Sequence, residues 1–238
     1  MKLIACVDQY FNIGYKNNLL FHIPEDMKRF KTLTTGKTVI MGRQTYKSLG
    51  KKDGLPDRKN IVISNSNPNF IHHQNFKSSV GWIESMSLNT FLNSHIERIK
   101  FMDLCRNSTP NLDDGFYVIG GGKLYDYLLP LCDTLELTIV HQTASESDTA
   151  INNLCFDYSP EEVLNSGDLS KYGLTYTVPE DVKYTDPFQF FNSIILVPKK
   201  AKVRYELDIN ETDKNQTGLY DSDSGLYYDF LTYHRVCK

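Results

Sequence analysis

The chain has 238 residues, 40% hydrophobic and 23% charged, the balance of a soluble globular protein long enough to bury a sizeable core. A net charge of −3 and a pI near 6.1 exclude the basic field on which nucleic-acid binders depend. The short apolar run before Asp8 is too brief for a membrane or signal segment, so a cytoplasmic protein with no membrane partner is expected.

Apolar runs recur between turn residues: KLIACV (2–7), KTVIMG (37–42), KNIVIS (59–64), FYVIGG (116–121) and LELTIV (135–140). Nearly continuous runs of this kind are strands covered on both faces. Helical patterns lie between them. PEDMKRFKTLTTG has Pro24 in its first turn and Gly36 as a stop. RQTYKSLG ends at Gly50, SLNTFLNSHIERIKFM has Ser87 as a candidate N-cap, and GKLYDYLLP closes at Pro130. Alternation of strand and helix predicts an α/β fold with a central, mostly parallel twisted sheet and flanking helices. The last third reads as strands without intervening helices, which predicts an antiparallel C-terminal edge on the same sheet. A single domain over 1–238 is expected, with insertions around 65–115, 141–190 and 198–225.

Five cysteines (6, 105, 132, 155 and 237) form no C-x-x-C pair, the pattern of free thiols in a reducing compartment. The six histidines show no metal-ligand spacing beyond the adjacent His72 and His73, so no metal is expected.

The chemistry-bearing candidates begin with Glu25 and Asp26. On a 3.6-residue period Asp26, Met27, Phe30 and Leu33 share one face, and Glu25, Lys28 and Arg29 share the other. Glu25 therefore pairs with its own helix. Asp26 stands on the apolar face, where an ionised acid is costly unless something meets it; the plainer alternative is that it only complements the helix dipole. VIGGGKLY (118–125) follows a strand and opens a helix, and its glycines let backbone N–H groups approach an anion. It is equally a tight strand–helix turn. VIMGRQTY (39–46) offers a second such turn with Arg43 at its start.

Taken together, LIACVDQYFNIGYKNNLLFHIPEDMKRFK, TVIMGRQTYKSLG, LPDRKNIVIS and VIGGGKLYDYLLP…LELTIV resemble dihydrofolate reductase, in order and with compatible spacing. The likeness covers 3–64 and 116–140 closely, and YYDFLTYHR fits the last strand more loosely. It implies reduction of 7,8-dihydrofolate to tetrahydrofolate, with NADPH giving hydride to C6 and a proton arriving at N5, by a monomer. By this resemblance Asp26 is the pocket carboxylate on the pterin's 2-amino group and N3, and Thr138 shares its network. Carbonyls of Ile4 and Ile119 flank the pterin; Cys6, Met27, Phe30 and Leu49 form apolar wall; Arg58 holds the glutamate tail's α-carboxylate. The matching cofactor positions are Gly42, Arg43, Gln44 and Thr45 at one turn, and Gly120, Gly121, Gly122, Lys123, Leu124 and Tyr125 at the other. Arg43 and Ser64 sit where the family reads the 2′-phosphate, and Ile13, Asn17 and Leu19 lie on its mobile active-site loop. The family carries a cis peptide at the bond matching Gly120–Gly121. Phe21 stands where the family most often has Trp, and Glu84 where many members are basic. A pyrimidine reductase of riboflavin synthesis with the same fold, or a non-catalytic homologue binding folate or a partner, are the alternatives.

Overall fold

The computed structural model describes residues 1–69, 82–95, 115–156, 195–198, 204–207 and 216–236. Strands β1 (Lys2–Val7), β4 (Thr38–Gly42), β5 (Lys59–Ile63), β6 (Trp82–Met86), β7 (Phe116–Gly120) and β8 (Thr134–Val140) form the parallel part of one large sheet, in the spatial order β8-β1-β7-β4-β5-β6. An antiparallel edge continues from β8 through β14 (Leu226–Val236), β12 (Arg204–Leu207), β11 (Ile195–Pro198) and β10 (Leu154–Phe156), with β13 (Gln216–Asp221) also on β14. This is the mixed architecture expected from the sequence. Residues 82–86, inside a stretch read as an insertion, instead form the parallel edge strand. A small second sheet joins β2 (Asn12–Tyr15) to β3 (Asn18–Leu19) and to β9 (Thr149–Ala150).

Alternation along the strands assigns each side chain to a face. Leu3, Ala5 and Val7 of β1, Ile40 of β4 and Leu135, Leu137 and Ile139 of β8 belong to one core, together with Phe91, Leu124 and Leu128. Those last three come from helix α3 (88–95) and helix α4 (Gly122–Leu128). Ile4, Val39, Met41, Val62 and Tyr117 face the other way and meet Phe30, Leu33, Tyr46 and Leu49, from helix α1 (Pro24–Thr34), helix α2 (Arg43–Ser48) and the residue after it. The expected caps are present: Pro24 sits at the start of α1, and Ser87 Oγ accepts the Thr90 N–H at 3.0 Å below α3. Among the described residues no helix is long and apolar enough to cross a membrane.

The faces of α1 depart from expectation. Glu25 does pair with Lys28 on the surface, at 3.7 Å. Arg29 does not join them: it turns inward and meets Glu136 of β8 at 2.7 Å. Glu136 is the one charged side chain in a strand buried along its whole length, and leaving it unpaired there would cost several kcal/mol.

Candidate active site

Asp26 and Thr138 come together across 112 residues of chain: Thr138 Oγ1 donates to Asp26 Oδ1 at 2.5 Å. Asp26 stands in the first turn of α1, and Thr138 points from β8 toward that helix. Burial pushes the Asp26 carboxyl up from its ordinary value, while the Thr138 hydrogen bond and the charge of Arg29 pull the other way. Cys6, in register with Thr138 on β1, has its thiol pushed well up, first by burial and then by Asp26. The Tyr125 hydroxyl of α4 donates to the Ile4 carbonyl at 2.7 Å and is raised by burial, then by Asp26.

A cleft of about 170 Å³ opens on the far side of Cys6 and Tyr125, which line it; Asp26 and Thr138 lie behind Cys6 and are not on its wall. Its lining brings together the expected Cys6, Ile13, Asn17, Leu19, Gln44, Thr45, Ile119, Gly120, Gly121 and Tyr125. A bulge on β7 shapes one wall: Ile40 pairs with Val118 but Met41 with Gly120, so Ile119 is the extra residue. The glycine turn makes the floor. Gly120 has φ 144 and Gly121 φ 41, conformations that a side chain disfavours. A Cβ on either would also crowd Thr45, at 3.1 and 3.3 Å. The turn is made by these torsions with a trans bond; the described residues contain no cis peptide, which corrects the expectation drawn from the resemblance.

Other expected residues lie around the cleft rather than on its wall. Ile4 is buried in the core under α1, packed with Phe30, Leu49 and Ile119. Met27 is 43% exposed. Gly42 immediately precedes α2, where Arg43 Nη1 donates to Ser66 Oγ at 3.5 Å. Ser64, buried at the end of β5, accepts the Asn67 N–H at 3.3 Å. In α4, Gly122 and Leu124 are buried, whereas Lys123 is exposed. Arg58 is buried against the end of α1: its Nε donates to Thr34 Oγ1 at 2.9 Å and its Nη1 to the Pro56 carbonyl. Phe21 packs with Cys6, Val140, Tyr228 and Phe230.

Ala5, Gly14, Asn18, Ser48 and Thr149 also line the cleft and were not singled out in the sequence. Thr149 carries no local signal, because it arrives by pairing of β9 with β2. Asp148 fastens the same contact, accepting the Lys16 N–H at 2.8 Å; that bond holds its carboxyl below the ordinary value. Asp8 anchors the other end. Fully buried, it accepts the Tyr10 and Asn12 N–H groups at 2.8 and 2.9 Å and the Ala144 N–H at 3.1 Å. Glu136 did carry a signal, since an acid inside a buried strand demands a partner.

Comparison with known proteins adds the following. The family model described as dihydrofolate reductase matches residues 1–178. A dihydrofolate reductase of Buchnera aphidicola is 33% identical over 138 residues, 58% of this chain and 70% of that protein. One from Bacillus subtilis is 32% identical over 141 residues, 59% of this chain and 69% of its own length. A solved structure of the Enterococcus faecalis dihydrofolate reductase, complexed with NADP(H) and RAB-propyl, superposes with a TM-score of 0.56 at 22% identity, covering 99% of this chain and 96% of that one.

Proposed function

We infer, from the premise that this chain belongs to the dihydrofolate reductase family, that it reduces 7,8-dihydrofolate to 5,6,7,8-tetrahydrofolate with NADPH. The observation that carries the reading is a single carboxylate, Asp26, largely buried and hydrogen-bonded to Thr138, beside a cleft floored by side-chain-free glycines. The enzyme acts as a cytoplasmic monomer, one domain over 1–238, on a small-molecule substrate.

The residues present fit NADPH. The crowding that any Cβ at Gly120 or Gly121 would cause with Thr45 means that bare backbone faces the cleft where the β4–α2 and β7–α4 turns meet. Gly42 to Thr45 and Gly120 to Leu124 would hold the diphosphate and nicotinamide, Arg43 and Ser64 the 2′-phosphate. Tyr125, Ile13, Asn17 and Leu19 would enclose the nicotinamide end. Bound NADPH supplies a hydride for pterin C6.

Asp26 accepts hydrogen bonds from the pterin's 2-amino group and N3, fixing the ring so that C6 faces the cofactor side of the cleft. Thr138 keeps one carboxylate oxygen oriented. Because burial favours a protonated Asp26 and Thr138 favours the charged form, the group is poised to hold a pterin whose N5 takes its proton from solvent. Cys6, Met27, Phe30 and Leu49 supply apolar surface along the ring, with the Ile4 and Ile119 carbonyls at its edge, and Arg58 meets the tail carboxylate.

Mixing the protein with NADPH and dihydrofolate and following nicotinamide absorbance tests the activity. Turnover on dihydrofolate is expected; no turnover, or turnover only on a riboflavin-pathway pyrimidine, would overturn the reading. Asp26→Asn should lose most turnover at pH 7 and recover part of it in more acidic solution. Near-full activity at pH 7 would remove Asp26 from the assignment.

A further inference from the structure

Building on the reading of Asp26 as the pterin anchor, we propose that Arg29 is a positioning residue for the reaction. Clamped by Glu136, which Thr232 holds in turn, it keeps a fixed positive charge beside Asp26 and governs that carboxylate's orientation and protonation state.

The geometry is a rectangle with one more rung behind it. Asp26 and Arg29 are three residues apart on α1, so they stack on one helix face. Thr138 and Glu136 are two apart on β8, so they project from one sheet face. The corners meet in pairs: Thr138 Oγ1 donates to Asp26 Oδ1 at 2.5 Å, and Arg29 Nη2 to Glu136 Oε2 at 2.7 Å. On β14, Phe230 lies opposite Thr138 and Thr232 opposite Glu136. Thr232 Oγ1 donates to the same Oε2 at 2.8 Å, and the Arg29 guanidinium lies 5.1 Å from the centre of the Phe230 ring. Arg29 is therefore held by an anion at one end and an aromatic face along its side.

Stability alone explains this poorly. Replacing a buried ion pair with apolar residues is commonly neutral or favourable, and Arg29 Nη1 is buried without a hydrogen-bond partner among the described residues, a further cost. Placing a cation three residues from the acid that Thr138 holds gives the arrangement a purpose. The other titratable groups acting with Asp26 are Cys6 on β1, Tyr125 on α4 and Tyr228 on β14. Burial raises all three, with Asp26 adding to the effect, which keeps them neutral. Glu25 on α1 faces solvent and pairs with Lys28. Within this set only Arg29 carries a positive charge, and it opposes the burial that raises Asp26.

The test reads the Asp26 carboxyl carbon by NMR across pH, without substrate, together with the pH profile of turnover. Arg29→Met should move the Asp26 titration, and the acid limb of turnover, upward by about 1 pH unit. Glu136→Gln, which keeps the shape but frees Arg29 of its counter-charge, should move both downward. An Arg29→Met, Glu136→Met double variant leaves no buried charge unpaired and should still titrate high. Arg29→Lys should restore most of the wild-type position. A purely structural Arg29 predicts altered melting with the Asp26 titration unmoved in every variant, and that result overturns the proposal. Failure of Asp26 as the pterin anchor is a separate outcome, since Asp26→Asn turnover reports it and the substrate-free titration does not depend on it.

Discussion

Alanine at position 122 should disturb a contact between the glycine turn and the small second sheet. A Cβ there would lie 2.5 Å from the Ala150 carbonyl oxygen and 3.1 Å from Thr149 Cγ2. Ordinary contact begins near 3.4 Å, so β9 must retreat by about 1 Å; backbone, not a pliable side-chain tip, has to move. That strand is tied down by pairing of Asn12 with Ala150 and Gly14 with Thr149, and by the Ile151 N–H on the Phe11 carbonyl at 2.9 Å. Overpacking against so constrained a segment costs about 1–3 kcal/mol. For a chain of this length each kcal/mol lowers the Tm by about 2–4 °C, so a fall of about 4–8 °C is expected at the middle of that range. Because β2 carries Ile13 and Gly14 into the cleft, the KM for NADPH should rise as well. Gly42→Ala is the stability control, since its Cβ would meet only the Gly120 carbonyl oxygen, at an ordinary 3.7 Å. Thermal melting of the three proteins and NADPH titration of turnover read both effects. A Gly122→Ala protein melting within about 1 °C of wild type, with KM unchanged, would refute the reasoning.

Asp26→Asn should raise the Tm at pH 7 even as it removes turnover. The folded-state pKa of Asp26 is raised from its ordinary 3.8, so the acid stabilises the fold fully only below that ordinary value and loses its contribution as pH rises through the raised one. The Tm advantage of the amide should therefore shrink from pH 7 toward pH 4; an advantage constant with pH would contradict it. Tyr205→Phe should cost about 1–3 kcal/mol, because the buried Tyr205 hydroxyl is shared between the Leu129 and Cys132 carbonyls, at 2.7 and 2.8 Å. Urea unfolding measures it, and an unchanged midpoint would mean that both carbonyls find other donors.

What the sequence determined by itself was whatever depends on neighbours along the chain. Apolar runs such as TVIMG and LELTIV announced covered strands, Pro24 and Ser87 marked helix starts, and the 3.6-residue period set Asp26 apart from Glu25. The glycine turn was legible because three successive glycines mark a turn that side chains disfavour, here with positive φ at 120 and 121. Tertiary structure decided everything that depends on a partner far away. The periodic reading grouped Arg29 with Glu25, four residues back, although it also stands three from Asp26; Glu136, 107 residues on, draws it to the inner face, since a buried carboxylate needs a partner. Thr149 reaches the cleft only because β9 pairs with β2, a contact that Asp148 fastens through the Lys16 N–H. Arg58, a plain cation before a strand in the sequence, is drawn into the end of α1 by Thr34 and the Pro56 carbonyl. Local torsions and periodicity are properties of a segment, whereas charge pairing and cleft lining are properties of the assembled sheet that brings those segments together.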